Sequence, residues 1–218
     1  MAVLVVGGRG GIGRAVVSRL ARDGDTAVVL DTVDGHDATN PDDVAAVLAD
    51  HPTLDGLVHL AGITGAGGIA DHDVEMWRRV MDANLTSAFV VLQQALPRLV
   101  PGSGVVLCSS VNGRTGGNEL SGPAYAAAKA GVIALTRHVA THEAKRGIRA
   151  NAIAPGPVAT RMVDRLSEDE LADLLAGIPL GRVTPTEEIA DLVAFLLSDG
   201  AASITGATID VNGGVWMS

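Results

Sequence analysis

Val6-Gly7-Gly8-Arg9-Gly10-Gly11-Ile12-Gly13 joins the apolar run Ala2 to Val6 to a helical pattern over Ile12 to Arg22, and its reading decides the fold. Glycines at 7, 8, 10, 11 and 13 remove side chains where a strand passes into a helix, so a ligand can approach the backbone closely. A phosphate placed there meets unpaired amides and the positive end of the helix dipole. The turn fits two spacings, Gly8-x-Gly10-x-x-Gly13 and Gly7-x-x-x-Gly11-x-Gly13, and taken alone it does not choose between them. Its strand-turn-helix setting predicts a dinucleotide site rather than a merely flexible turn.

Outward from this turn, short β-branched runs alternate with longer helical patterns, as repeated βαβ units do. Strands are expected at Ala2 to Val6, Thr26 to Leu30, Gly56 to Leu60, Val105 to Cys108, Ile148 to Ile153 and Ala207 to Val211. Each is short and mostly apolar, as a strand covered on both faces should be. Helices are expected at Ile12 to Arg22, Asp42 to Ala49, Val74 to Leu99, Ala124 to Arg146, Glu168 to Ala176 and Glu187 to Leu197. The predicted fold is α/β, a single doubly wound Rossmann-type parallel sheet of six to seven strands, in one domain over residues 1–218. The long segment from Pro155 to Pro185 reads as a lid, with Met162, Val163, Leu166, Leu171 and Leu174 suited to an apolar substrate or to plain helix packing.

A carboxylate, Asp31, follows the second strand 18 residues after Gly13. It can accept hydrogen bonds from both adenosine ribose hydroxyls and would repel a 2′-phosphate, so NAD is favoured over NADP. Arg9 and Arg14 leave some room for phosphate.

The net charge of −9 and pI near 5.0, with no Lys/Arg cluster, argue against a nucleic-acid partner. Apolar residues make up 47% but aromatics only 2%, so Ala, Val, Leu and Ile must build the core. Cys108 is the one cysteine, lies in an apolar run and reads as a buried small hydrophobe. No membrane span or leader is read, no metal site is expected, and a cytoplasmic setting is the expectation.

Tyr125 is the single tyrosine and Lys129 one of two lysines, yet they stand four apart in an Ala-rich helical segment. Four helical residues turn about 400° and rise roughly 6 Å, so both side chains project from one face. A phenol with pKa near 10 is a poor base, and a fixed ammonium favours its phenolate. Bringing that pKa to neutrality takes roughly 4 kcal/mol, which Lys129 and a positively charged nicotinamide together would supply.

These residues resemble the classical branch of the short-chain dehydrogenases/reductases over nearly the whole chain. Besides Tyr125-x-x-x-Lys129, the resemblance rests on V-G-G-R-G-G-I-G at 6 to 13, A-N-L at 83 to 85, L-C-S-S at 107 to 110, N-A-I-A-P-G at 151 to 156 and I-T-G-A-T-I-D-V-N-G-G at 204 to 214. It implies that Tyr125 is the general acid/base and that Lys129 holds the nicotinamide ribose while lowering the tyrosine pKa. Ser110, preferred over Ser109, would bind the substrate oxygen, and Asn84 would hold a water of a proton relay. The cofactor set it implies is Gly7, Arg9, Gly11, Ile12, Gly13, Asp31, Asp37, Ala61 and Gly62, together with Tyr125 and Lys129. Beyond these, Pro155 and Gly156 would turn the chain beneath the nicotinamide, with Val158 and Thr160 near its carboxamide. A homo-oligomer, tetramer or dimer, is also implied, with the helices from Val74 and Ala124 and the tail near Trp216 at interfaces.

The sequence departs from that pattern in several places. Five residues separate Asp31 from Asp37 where the family inserts a helix and a strand. The third strand and its preceding helix are therefore expected to be truncated, with at most a stub near Val33 to His36, and Asp37 reaches the adenine by another route. His59-Leu60-Ala61-Gly62 stands where the family has Asn-Asn-Ala-Gly, and His59 is expected to be a satisfied core histidine. Val6 replaces the usual threonine, and Gly113, Arg114, Gly116, Gly117 and Asn118 are expected to form a flexible rim. The expected activity is hydride transfer between NAD(H) and a small secondary alcohol or ketone. The alternatives are an NADPH-dependent 3-ketoacyl-type ketoreductase and a catalytically silent dinucleotide-binding regulatory protein.

Overall fold

The computed structural model describes residues 1–160, 163 and 167–217. Its chain runs β1 (Ala2–Val6), α1 (Gly11–Arg22), β2 (Thr26–Leu30), α2 (Pro41–Leu48), β3 (Leu54–His59), α3 (Val74–Met81) and α4 (Ser87–Ala95). It continues through β4 (Leu99–Cys108), α5 (Asn112–Thr115), α6 (Gly122–Glu143), β5 (Arg149–Pro155), α7 (Glu168–Ala176), α8 (Thr186–Leu197) and β6 (Thr208–Val211). Six strands form one sheet in the order β2-β1-β3-β4-β5-β6, and every pairing is parallel.

The period of two along each strand sends alternate residues to opposite faces, and both faces are covered. Val3 and Val5 pack with Val16 and Leu20 of α1 and Ile189, Val193 and Leu196 of α8. Leu4 and Val6 pack on the other side with Val28, Val44 of α2, Val91 of α4 and Val132 of α6. Two aliphatic layers explain why the strands read as unbroken apolar runs.

From β1 the chain goes outward to β2, then returns past β1 to β3 and proceeds the other way. The carboxyl ends of β1 and β3 therefore flank a topological switch point, where doubly wound sheets bind ligands. The glycine turn leaves β1 and Leu60-Ala61-Gly62 leaves β3 at that crevice.

Two expectations are corrected. No strand stub forms near Val33 to His36: Thr32–Asp34 is a 3-10 turn capped by the Asp31 carboxylate and ended by Gly35 at φ 86°. With five residues available, the chain closes a tight turn and enters α2 through an Asn40 cap, leaving β2 as the sheet edge. The helix expected from Val74 to Leu99 is interrupted by a π-helical turn at Asp82–Thr86, and Leu99 already belongs to β4. Such turns insert one residue and redirect side chains, often at functional sites.

Candidate active site

Gly7 and Gly13 of the turn are demanded by close approach to backbone, and Gly11 sits tight against a side chain. Gly7 sits at φ 79°, and a Cβ there would lie 2.8 Å from the Ala61 amide nitrogen. A Cβ on Gly13 would run into the Gly7 carbonyl oxygen and lie 2.7 Å from Gly8 Cα, whereas one on Gly11 would lie 3.0 Å from Thr160 Cγ2. The α1 N-cap is Gly10, with no side chain to cap the helix and no acidic residue in its first turn. The amides of that turn therefore face outward with the positive end of the helix dipole, a setting that suits a pyrophosphate.

Two clefts meet at this turn. One, of about 760 Å³, is lined by Gly7, Arg9, Gly10, Asp31, Asp37, Ala61 and Gly62. The other, of about 790 Å³, is lined by Ile12, Ser110, Tyr125, Pro155, Gly156, Val158 and Thr160. Most of the cofactor residues implied by the sequence thus divide between two adjoining chambers with the helix N-terminus between them, while Gly11, Gly13 and Lys129 line neither.

On the nucleotide side, Asp31 Oδ2 accepts from the Arg9 amide at 2.8 Å and Oδ1 from the Val33 amide at 3.0 Å. Asp37 Oδ1 accepts from both the amide and the hydroxyl of Thr39 at 2.8 Å, so its carboxylate also ties down its own turn. On the other side, Gly156 leaves β5 so close to Asn212 that a Cβ would lie 2.8 Å from the Asn212 Cβ. Val158 then bridges to Thr184, with Ala159 donating to the Thr184 carbonyl at 2.9 Å. Of the lid residues, Leu171 and Leu174 lie on α7, while Met162 and Leu166 fall outside the described residues.

Tyr125 and Lys129 project from the first turns of α6, and the ammonium lies 5.5 Å from the phenol ring centroid. Lys129 is buried and donates to the Cys108 carbonyl at 2.8 Å. Ser109 is also buried, and its hydroxyl donates to the Lys129 carbonyl at 2.7 Å. Ser110 lines the same cleft as Ser109, accepts from the Asn112 amide at 3.2 Å and hydrogen-bonds the Tyr125 phenol. The two serines therefore divide their work, Ser109 holding α6 and Ser110 reaching the phenol.

Asn84 lies in the π-helical turn, fully buried. Its Nδ2 donates to the Ile63 carbonyl at 2.7 Å and the Val80 carbonyl at 2.8 Å, while Oδ1 is buried without a partner. Gly62 makes room for that oxygen: a Cβ there would collide with Asn84 Oδ1 and lie 3.3 Å from Lys129 Nζ. A buried acceptor facing an ammonium across such a gap suits a bridging donor, as a relay water would be.

In the ligand-free chain the phenol starts above its ordinary value. Burial pushes the Tyr125 phenol up to about 12, the Cys108 side chain adds to that direction, and the Ser110 hydrogen bond opposes it. The Lys129 ammonium, 5.5 Å from the ring centroid, is turned to the Cys108 carbonyl. Burial also lowers the Lys129 ammonium from its ordinary value and raises the Cys108 thiol, which is therefore a thiol rather than a nucleophile at neutral pH.

His59 behaves as a core residue. It is buried, its Nε2 lies 3.1 Å from Ser87 Oγ, and burial, with the Lys129 charge second, pushes its pKa down to about 3. The rim also differs from expectation: Asn112–Thr115 forms α5, and Arg114 pairs with Asp210 on β6 at 3.5 Å. The Cys108 carbonyl that receives Lys129 was not legible in sequence, since a main-chain acceptor carries no residue signature. The same holds for His72, whose Nε2 meets the Gly65 and Ala66 carbonyls at 3.0 and 3.1 Å beside the start of α6.

A parallel sheet with a glycine turn at its switch point, and a Tyr-Lys helix opening onto the same crevice, defines an α/β dinucleotide-binding protein equipped for acid/base chemistry. A family model described as enoyl-(acyl carrier protein) reductase matches residues 35–216. The chain is 35% identical to the 3-oxoacyl-[acyl-carrier-protein] reductase FabG of Escherichia coli, over 98% of this chain and 96% of that protein. It is 37% identical to an uncharacterized short-chain type dehydrogenase/reductase, y4vI, of Sinorhizobium fredii, covering 99% of this chain but spanning only 43% of that longer protein. A 3-oxoacyl-[acyl-carrier protein] reductase of Brucella melitensis, solved with bound NAD, superposes with a TM-score of 0.88 at 28% identity, covering 100% of this chain and 91% of that one. The chain belongs to the short-chain dehydrogenase/reductase family, oxidoreductases that bind a nicotinamide dinucleotide.

Proposed function

We propose that this protein transfers hydride between NAD(H) and a small secondary alcohol or ketone, with Tyr125 as the acid/base. The observation that carries the reading is the convergence of Tyr125, Lys129, Ser110 and Asn84 beside a glycine cradle that any Cβ would fill. Gly7, Gly11, Ile12 and Gly13 would hold the pyrophosphate, Asp31 the adenosine ribose, and Ala61, Gly62, Pro155, Gly156, Val158 and Thr160 the nicotinamide half. Asp37 and Arg9 would flank the adenosine. The bound nicotinamide supplies or accepts the hydride and brings positive charge when oxidised.

Within the chain, Ser110 donates to the substrate oxygen and holds it against the Tyr125 hydroxyl, which takes up or returns the proton. Lys129 would orient the ribose, and Asn84 Oδ1 would hold a water through which Tyr125 exchanges its proton with solvent. The apolar walls supplied by Val111, Leu120, Leu174 and Ile178 exclude water from the reacting carbon.

A panel of secondary alcohols and ketones assayed with NAD(H) and NADP(H) tests this. The expected result is turnover with NAD(H) and a loss of about 10²- to 10⁴-fold in Tyr125→Phe. Unchanged turnover in that variant overturns the assignment, and a clear NADPH preference overturns the cofactor choice. The second reading, reduction of a 3-ketoacyl chain, is favoured by the FabG relatives and by the same apolar walls. It differs in substrate, and a 3-ketoacyl thioester in the panel distinguishes the two. Full retention of the catalytic set weighs against a silent regulatory role. Assembly into a homo-oligomer is supported by apolar residues left open at Val74, Phe89 and Trp216, and light scattering of the purified protein measures it.

A further inference from the structure

At the edge of the nucleotide cleft an ion pair joins the glycine turn to the segment that replaces the truncated βα unit. Arg9 Nε donates to Asp34 Oδ2 at 2.8 Å, while the Arg9 amide donates to Asp31 Oδ2 at 2.8 Å. Asp31 opens the 3-10 turn and Asp34 closes it, so the short turn delivers a second carboxylate beside the first. Arg9, Asp31, Thr32 and Val33 share the cleft wall. Both members of the pair are open to water, at 49% and 34% side-chain exposure, so the contact is exchangeable and weak in itself.

A guanidinium in this position is the group best shaped to grip a phosphate, through two parallel N–H bonds. Asp31 repels a 2′-phosphate and hydrogen-bonds the Arg9 backbone, acting on the guanidinium only through space and less than Asp34 does. Asp34 does engage the side chain.

We propose that Asp34 determines nucleotide specificity by sequestering Arg9, withholding from an adenosine 2′-phosphate the one cation of the glycine turn that would bind it. The inference rests on the cleft being the adenosine site. It assigns the discrimination to two carboxylates acting differently, Asp31 on the ligand and Asp34 on the arginine.

Calorimetric titration of the whole chain with ADP-ribose and with 2′-phospho-ADP-ribose, neither of which can undergo redox chemistry, tests it. Wild type is expected to prefer ADP-ribose. Asp34→Ala and Asp34→Asn are expected to bind the 2′-phosphorylated ligand about two- to fivefold tighter than wild type, the scale of releasing one exposed ion pair, with ADP-ribose affinity little changed. Adding Arg9→Ala to Asp34→Ala is expected to cancel the gain in the ratio of the two affinities.

An unchanged ratio in both Asp34 variants, with ADP-ribose still binding, overturns the inference alone. A gain that survives Arg9→Ala overturns it too, because Arg78, Arg79 or His36 of the same cleft would then be the cation at work. Failure of wild type to bind ADP-ribose overturns the adenosine-site reading and this inference with it.

Discussion

Tyr125 is the only tyrosine, so ionisation of one chemically defined group can be followed directly in this chain. In the ligand-free protein its phenol is held at about 12, two units above the ordinary value, chiefly by burial. At about 1.36 kcal/mol per unit, the folded state disfavours the phenolate by about 2.7 kcal/mol, and reaching neutrality from there takes about 7 kcal/mol. The perturbation is a pH titration read by tyrosinate absorbance, with far-ultraviolet circular dichroism recorded in parallel. At about pH 11 roughly one-tenth of Tyr125 should be ionised, against about nine-tenths for a tyrosine in water.

The sign follows from linkage: a raised folded-state pKa contributes stability that is present below about pH 10 and lost as pH rises towards 12. Tyr125→Phe should therefore lack up to about 2.7 kcal/mol of that alkaline loss. Saturation with NAD should move the tyrosinate midpoint down by several units, because a positive ring beside the phenol favours the phenolate. More than half ionisation at about pH 11 with the fold intact refutes the burial argument. A midpoint that stays near 12 with NAD bound refutes the catalytic reading.

Gly13→Ala should abolish dinucleotide binding and destabilise by a few kcal/mol, since its Cβ meets the Gly7 carbonyl, a backbone atom with nowhere to move; calorimetry and thermal melting measure the two effects. Ser109→Ala should cost about 0.5–1.5 kcal/mol of stability by removing the buried hydrogen bond that ties the end of β4 to α6, whereas Ser110→Ala should lower turnover with the melting temperature nearly unchanged. His59, with its pKa depressed to about 3, contributes stability that is present above about pH 6.5 and lost as pH falls towards 3, about 5 kcal/mol in all. In acid melts His59→Asn should flatten that decline, and an unchanged slope would show that His59 is not buried neutral.

Strand and helix positions were legible because both sheet faces are covered, which makes each strand a short apolar run, and because the glycine turn fixes where the first helix begins. The truncation after Asp31 was legible from spacing, since five residues cannot hold a helix and a strand. What fills the gap was not, because whether five residues make a strand edge or a capped turn depends on the Asp31 carboxylate finding the Val33 amide. The π-helical turn was hidden for a similar reason: Asn84 leaves the helical pattern by donating to Val80 and Ile63, the second of which is remote in sequence.

By itself, then, the sequence determined the α/β class, the glycine cradle and the placement of Tyr125 and Lys129 on one helical face, because each follows from local periodicity and residue size. Tertiary structure alone decided that the Lys129 ammonium turns to the Cys108 carbonyl, that the Ser109 hydroxyl is tied to the Lys129 carbonyl, and that the phenol begins near 12. A pKa is set by desolvation and by charges arriving from other strands and helices, and those neighbours exist only once the chain has folded.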